Sequence, residues 1–177
     1  IFSYGKSDGE LFFEHQKIFL NSLGIEKEVL FRVDQVHGNH VYILKDSGVS
    51  VSEVSQCKAD AIITDIPDYP IMVLTADCVP IVIYDPIKHV VGVVHAGRKG
   101  TQKQVLTNTI EALLREYNSN PKDLILGMGP AIRGCCYDVD EACILPFVTK
   151  RPLYPEFICK KNKNKFFLDL PVANRLE

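Results

Sequence analysis

Seven short apolar segments rich in β-branched residues follow one another through the middle of this 177-residue chain, with few helical stretches between them. Runs of this length, bounded by turn-forming residues, predict buried or half-buried strands. In chain order the segments are VLFRV, HVYIL, ADAIITD, IMVLTA, PIVIYD, HVVGVVH and DLILGMGPAI. Because successive parallel strands need a crossover connection, usually a helix, this order does not require a purely parallel, doubly wound sheet.

Other segments carry apolar residues at helical spacing. Residues 9–25 predict an early helix, and residues 100–117 predict a second helix with Thr101 as its N-cap. Residues 166–177 predict a strand that runs into the start of a helix. No linker, internal repeat or low-complexity segment interrupts the sequence, so we expect a single domain over residues 1–177.

Composition excludes several classes of protein. The net charge is −2, with 46% hydrophobic and 24% charged residues and no basic block, so neither nucleic acid nor a membrane is a predicted partner. Asp77 and Pro80 break the longest apolar stretch, and the first ten residues lack the features of a signal peptide. Six cysteines, among them adjacent Cys135 and Cys136 and no CxxC pair, favour a reduced, cytoplasmic protein without a disulfide framework or a structural zinc knuckle.

Three residues at predicted strand ends are candidates for chemistry: His37 in QVHGN, Cys78 in TADCVP and His95 in VVHAGRKG. Taken singly, a cysteine between apolar runs is usually a buried small hydrophobe, and a lone histidine is usually a hydrogen-bonded structural residue. Functional groups concentrate on loops held by a rigid sheet, and three such settings in one chain favour a functional site.

Five motifs in order carry a resemblance to a known family. They are QVHG, ADAIITD, TADCVPIVIYDP, VGVVHAGRKGT and GPAIRGCCYDV, between about residues 33 and 140, with a weaker echo in FFLDLPVANRL. Together they resemble the laccase-domain family, also called the multicopper polyphenol oxidoreductase or YfiH-like family, which includes purine nucleoside phosphorylases and a peptidoglycan editing factor. The resemblance implies an α+β fold in which mixed β-sheets are layered with helices, α/β/β/α.

The resemblance also implies a metal centre. In the family, the residues at the positions of His37, Cys78 and His95 bind one metal ion, usually described as zinc, and are taken as catalytic. Two imidazoles and one thiolate are good zinc ligands, and three protein ligands leave a fourth position for water or substrate. We therefore expect these three side chains to converge, whereas Cys135 and Cys136 are not expected to be essential ligands.

The family's activities imply small-molecule partners. They are phosphorolysis of adenosine, inosine, guanosine and methylthioadenosine, and deamination of adenosine, so purine nucleoside and phosphate are the expected substrates. Arg98, Lys99 and Arg133 are candidate phosphate-binding residues, with solvated surface as their alternative role. We expect a monomer or a weak homo-oligomer.

Departures from the family pattern weaken the expected activity. The usual His-Ala-Gly-Trp-Arg-Gly is HAGRKG here, so Arg98 replaces an aromatic ring and Lys99 replaces an arginine that could hold phosphate with two hydrogen bonds. The family's closing Cys-Thr and Ser-Tyr-Arg stretches do not occur up to Glu177, so the expected domain can lack the family's terminal segments.

Three alternatives stay open at this point. In a metal-free cysteine hydrolase, Cys78 is the nucleophile and His95 its base, acting on an amide such as a peptidoglycan precursor. A copper-dependent phenol oxidase needs several copper ions and more histidines than the five in this chain, which makes copper the less favoured metal. The third alternative is an inactive relative kept as a binding partner.

Overall fold

The computed structural model describes residues 9–25, 29–150 and 156–177. The chain divides into two compact units, Ile1–Leu30 and Phe31–Glu177. The first contains helix α1, Gly9–Ser22, which confirms the predicted early helix. The second contains both β-sheets described below. The single domain expected over residues 1–177 stays a prediction.

The second unit alternates strands with short helices. Its strands are β1 Val41–Leu44, β2 Ala61–Thr64, β3 Val79–Asp85, β4 Val90–Ala96, β5 Ile125–Met128, β6 Asp138–Asp140, β7 Ile158–Lys160 and β8 Lys165–Leu168. Its helices are α2 Val51–Gln56, α3 Arg98–Gln102, α4 Val105–Tyr117, α5 Glu141–Lys150 and α6 Leu170–Arg175. Among the described helices, none combines the length and apolar character needed to cross a membrane.

The strands form one five-stranded sheet and one three-stranded sheet. The larger has the order β1-β2-β4-β3-β5, in which β1 and β2 are parallel and every other pair is antiparallel. The smaller has the antiparallel order β6-β8-β7. The predicted α+β fold with mixed sheets and helices is confirmed, and the solved structures compared below share it.

The centre of the larger sheet is rigid because its strands are buried. All four residues of β2 are buried, and β3 buries alternate residues, as the two-residue period of a strand requires. In β4, Gly92 allows close packing, because a Cβ there would lie 3.1 Å from Ile63 Cγ2. Helix α4 adds Leu106 and Leu113 to the core beside this sheet. The strand ends that carry the candidate site are therefore anchored in the main core.

Two predicted strands are wrong. Residues 29–33 and 71–76, all within the described part of the chain, contain no strand and are joined only by a single parallel bridge between Phe31 and Ile71. The amide of Phe31 donates to the Pro70 carbonyl and its carbonyl accepts from Met72, both at 2.9 Å. Pro70 has no N–H to donate, so a ladder cannot extend through it.

The second predicted helix is also wrong in detail. It is split into α3 and α4 at Gln104, whose φ of 61° is left-handed. Thr101 is not an N-cap, because it lies inside α3, where Gly97 is the cap residue. Its hydroxyl is buried and accepts a hydrogen bond from Asn174 Nδ2 at 3.0 Å, so it serves tertiary packing between α3 and α6.

Candidate metal centre

Antiparallel pairing brings two of the candidate residues to one edge of the larger sheet. Cys78 directly precedes β3, and His95 is the next-to-last residue of β4. The register places Val79 opposite Ala96 and Pro80 opposite His95, so the start of one strand meets the end of the other. His37 reaches the same edge from the loop that precedes β1.

The structure brings His37, Cys78 and His95 together. One ligand atom from each residue lies within 4.8 Å of the other two. Cys78 Sγ is 3.8 Å from His37 Nε2, and the two imidazole rings stand edge to face with centroids 4.7 Å apart. Two nitrogens and one sulfur at this spacing form the donor set of an open zinc site. The residues present therefore fit a metal ion that keeps one coordination position for water or substrate.

A buried carboxylate, Asp60, organises two of these three residues. Its side chain is fully buried and accepts hydrogen bonds from the amides of His37 at 2.9 Å and Gly38 at 2.6 Å, and from His95 Nδ1 at 2.8 Å. His37 has a φ of 56°, a left-handed conformation that is uncommon for a residue with a side chain. The loop amides that face Asp60 offset the cost of this conformation, as in other anion-binding concavities of the backbone.

The same carboxylate fixes the tautomer of His95. An ionised carboxylate only accepts hydrogen bonds, so Nδ1 carries a proton and Nε2 is the nitrogen left for a ligand, which a metal ion would occupy in place of the Nε2 proton. Burial works to raise the pKa of Asp60, but hydrogen bonds from His95 and Gly38 outweigh it and lower that pKa. Burial likewise works to lower the pKa of His95, but Asp60 and the Cys78 sulfur raise it to about 9. In contrast, burial and repulsion by His95 lower the pKa of His37.

Gly97 is the residue that lets the cluster close. A Cβ at this position would lie 2.8 Å from Cys78 Sγ and 2.9 Å from His37 Cδ2, closer than van der Waals contact permits. Any other residue would push the sulfur and the imidazole out of place. Gly97, the glycine of the HAG motif, is therefore required because the cluster leaves no room for a side chain at this position.

A cavity of about 360 Å³ opens over the cluster. Two of the three candidate basic residues, Arg98 and Lys99, line it. The full lining is Val36, His37, Cys78, Arg98, Lys99 and Tyr137. His95 is not among the lining residues and has only 3% of its surface exposed. Two of the three candidate ligands and two cationic side chains therefore line the wall of the same cavity.

Arg133 is placed differently. It is not among the residues that line this cavity in the described part of the chain. Its side chain is 64% exposed, with Nε 3.6 Å from Asp169 Oδ2. The structure therefore brings two of the three predicted basic residues to the candidate site and leaves the third beside α6.

Four residues of the site were missed from sequence: Val36, Asp60, Gly97 and Tyr137. Asp60 had a detectable signal, because a carboxylate directly before a fully buried strand needs polar partners to be tolerated there. The other three had no such signal, since their roles depend on contacts that only the folded chain creates. Within the described residues, Cys135 and Cys136 do not belong to the candidate ligand cluster.

Comparison with known proteins agrees with the motifs. The family model described as multi-copper polyphenol oxidoreductase laccase matches residues 7–177. The purine nucleoside phosphorylase YlmD of Bacillus subtilis (strain 168) is 36% identical over 148 residues, which are 81% of this chain and 53% of that protein. The purine nucleoside phosphorylase LACC1 of Mus musculus is 29% identical over 163 residues, which are 92% of this chain and 36% of that protein. The chain thus spans about half or less of the length of these relatives.

Two solved structures share the fold. The hypothetical protein YfiH of Bacillus licheniformis superposes with a TM-score of 0.87 at 28% identity, over 94% of this chain and 64% of that chain. YlmD of Geobacillus stearothermophilus gives a TM-score of 0.83 at 25% identity, over 97% of this chain and 67% of that chain. Since the family model extends over nearly all residues of the sequence, this chain belongs to the multi-copper polyphenol oxidoreductase laccase family.

Proposed function

We propose that this chain is a zinc-dependent purine nucleoside enzyme that carries out phosphorolysis, with adenosine deamination as a second activity. The observation that carries the proposal is the shared cavity, which is lined by His37, Cys78 and two cationic side chains, with a ligand atom of His95 within 4.8 Å of those of His37 and Cys78. Relatives named purine nucleoside phosphorylase support the substrate class. The substrate preference and the metal are parts of the proposal.

His37, Cys78 and His95 would hold the metal. When bound, zinc supplies Lewis acidity and lowers the pKa of water at its open position toward about 7. Asp60 keeps His95 in the tautomer that presents Nε2, and the Gly97 backbone leaves room for the thiolate and the His37 ring. These contacts hold the ligands in place before substrate arrives, which is the arrangement that a reactive centre needs.

Arg98 and Lys99 would bind phosphate. Phosphate must reach the ribose carbon that bears the base, and fixed positive charge beside the cavity raises its local concentration and orients it. Arg98 is half-buried and offers a planar fork of donors, whereas exposed Lys99 offers a point charge. The base would lie against Val36 and Tyr137, which supply the apolar and aromatic wall of the cavity.

The proposal is tested by product analysis. Adenosine and inosine are incubated with the zinc-loaded chain, with and without phosphate, and free base, ribose 1-phosphate and ammonia are measured. Phosphate-dependent release of base and ribose 1-phosphate, abolished by a chelator and restored by zinc, is expected. Ammonia from adenosine without phosphate would mark the second activity. No product from either nucleoside with zinc fully bound would reject the proposal.

A second candidate function rests on a different use of the same residues. Asp60, His95 and Cys78 are arranged as an acid, a base and a nucleophile: Asp60 orients His95 Nδ1, and Cys78 lies within 4.8 Å on the other side. The chain would then be a metal-free cysteine hydrolase acting on an amide such as a peptidoglycan precursor. Two observations would identify this cysteine hydrolase: its activity would survive chelation of metal ions, and a covalent acyl intermediate would form on Cys78.

The remaining points concern copper chemistry, cellular location, oligomeric state and the alternative of an inactive relative. Copper-dependent phenol oxidation is less favoured, because the described residues hold a single His/Cys cluster of three donors, whereas a laccase uses several copper ions. The cytoplasmic location, the monomeric or weakly oligomeric state and the alternative of an inactive binding relative stay predictions from sequence.

A further inference from the structure

Cys135 and Cys136 form a pair of exposed thiols outside the candidate metal centre. Both side chains are accessible, and their sulfur atoms lie 3.2 Å apart. Neither belongs to the cluster formed by His37, Cys78 and His95. The GCC segment is therefore a feature of the sequence that the proposed nucleoside chemistry does not use.

The turn around the two cysteines is held at several points. The amides of Cys136 and Tyr137 both donate to the Arg133 carbonyl, at 3.0 and 3.1 Å. The amide of Gly134 donates to Asp169 Oδ2 at 3.1 Å. These bonds hold the backbone on both sides of the two cysteines.

The contact between the sulfurs makes the two thiols unequal. A hydrogen bond with Cys135, and repulsion from negative charge on that sulfur, raise the pKa of Cys136. Ionisation of Cys136 is therefore disfavoured while the Cys135 sulfur carries negative charge. A low-pKa or exposed cysteine with a second cysteine beside it is the arrangement from which a sulfenic acid is resolved to a disulfide.

We propose that Cys135 and Cys136 are a reversible oxidation site that reacts with hydrogen peroxide to form a disulfide between adjacent residues. The Cys135 thiolate attacks one peroxide oxygen, the O–O bond breaks, and the departing hydroxide takes up a proton to give water. Cys136 then attacks the sulfur of the Cys135 sulfenic acid, the S–O bond breaks, the S–S bond forms, and a second water leaves with the Cys136 proton. Two thiols are oxidised while one peroxide is reduced.

The product is easily reduced. Adjacent Cα atoms across a trans peptide are about 3.8 Å apart, which is below the usual range for disulfide-bonded residues. Strained and exposed disulfides are the labile ones, and a small dithiol reaches this one directly. Such a bond suits a reversible modification and would not act as a permanent structural disulfide.

Mass spectrometry of the oxidised chain tests the proposal. The metal-loaded chain is treated with a small excess of hydrogen peroxide, alkylated, and digested with trypsin and Asp-N, which separate residues 134–137 from Cys143. We expect this peptide to lose two hydrogens and both alkylation sites, and to regain both sites after dithiothreitol. Exposed Cys159 serves as the matched control and should keep most of its alkylation.

Two variants sharpen the result. Cys136→Ser should stop the reaction at a Cys135 sulfenic acid that dimedone traps, and Cys135→Ser should abolish the peptide disulfide. Independently, phenylarsine oxide should bind once per chain, and each single variant should lose that binding. Disulfides between chains, or oxidation of Cys159 while Cys135 and Cys136 stay alkylatable, would overturn the proposal. None of these readouts depends on nucleoside turnover.

Discussion

The ligand cluster and the basic wall of the same cavity are built in opposite ways. His95 and Asp60 are 3% and 0% exposed and share a 2.8 Å hydrogen bond inside the main unit. On the wall, Arg98 is half-buried and Lys99 is exposed. Buried hydrogen bonds therefore hold part of the candidate ligand cluster in place, whereas the two basic side chains of the wall are more accessible to solvent.

The ligand cluster and the basic wall respond differently to amino-acid substitution. A substitution beneath the cluster alters several hydrogen bonds at once, because Asp60 serves the loop of His37 and the ring of His95 together. A substitution on the wall alters one side chain at the cavity surface. Within the motifs around the site, the departures from the family pattern occur on the wall, at Arg98 and Lys99, and the candidate ligand set is intact. Variants in the two regions test this contrast.

The largest expected difference separates the two histidines. His95→Ala and His37→Ala should both lose most bound zinc, because each removes a ligand. His95→Ala should also lower the free energy of unfolding by about 3 kcal/mol or more, since it removes the imidazole partner of the buried Asp60 carboxylate and leaves backbone amides as its donors. His37→Ala should cost much less, because that side chain is exposed. Urea unfolding in the presence of a chelator measures both values, and equal losses of stability would contradict the contrast.

Asp60→Asn should weaken zinc binding by about 10–100-fold, which is the usual effect of removing the group that orients a ligating histidine. Asp85→Asn is the matched control. Asp85 is also buried and accepts from two backbone amides, Ile87 and Lys88, but it lies at the far end of β3 from Cys78. Both variants should be less stable, and zinc affinity should fall only in Asp60→Asn. A fall of zinc affinity in both variants would show that Asp60 acts only through the stability of the fold.

Gly97→Ala should disturb the cluster from the backbone side. The added Cβ would meet Cys78 Sγ and His37 Cδ2, so we expect several-fold weaker zinc binding and a loss of about 1–3 kcal/mol of stability. Gly127→Ala in β5 is the control, because a Cβ there would meet no described atom within 4 Å. Zinc titration and urea unfolding of the two variants give the comparison, and identical behaviour would show that the close contact has no effect.

The smallest effects are expected on the wall. Arg98→Ala and Lys99→Ala should each raise the KM for phosphate about tenfold, in line with the loss of one charge-assisted hydrogen bond, and should leave zinc content unchanged. Arg133→Ala should change the KM for phosphate less, since that side chain does not line the cavity. Steady-state kinetics at saturating nucleoside measure the three values, and a larger effect at Arg133 would reverse their order.

Sequence patterns were sufficient where the structure is local and periodic. The contiguous apolar runs in β3 and β4 predicted both strands, and the motifs at their ends located Cys78 and His95. The early helix α1 and the final step from β8 into α6 were predicted on the same grounds. Periodicity succeeds there because each element follows its own pattern of burial.

Patterns failed where a distant residue or an unusual backbone angle decides the structure. Pro70 stops the ladder beside Phe31, and a left-handed Gln104 splits the long predicted helix, neither of which apolar spacing reveals. Two strands of the smaller sheet, β6 and β7, are only three residues long and show little apolar periodicity. Asp60 and His95 are 35 residues apart in sequence, so their hydrogen bond exists only after the sheet has formed.

We propose that one metal ion is held by His37, Cys78 and His95. Elemental analysis of the purified chain, of Cys78→Ser and of the double variant Cys135→Ser/Cys136→Ser measures its presence. We predict about one zinc per chain in the first and third proteins, and loss of most zinc in Cys78→Ser, because only Cys78 among these cysteines lies within 4.8 Å of both histidines. Full zinc content in Cys78→Ser, or equal loss in the double variant, would contradict the account.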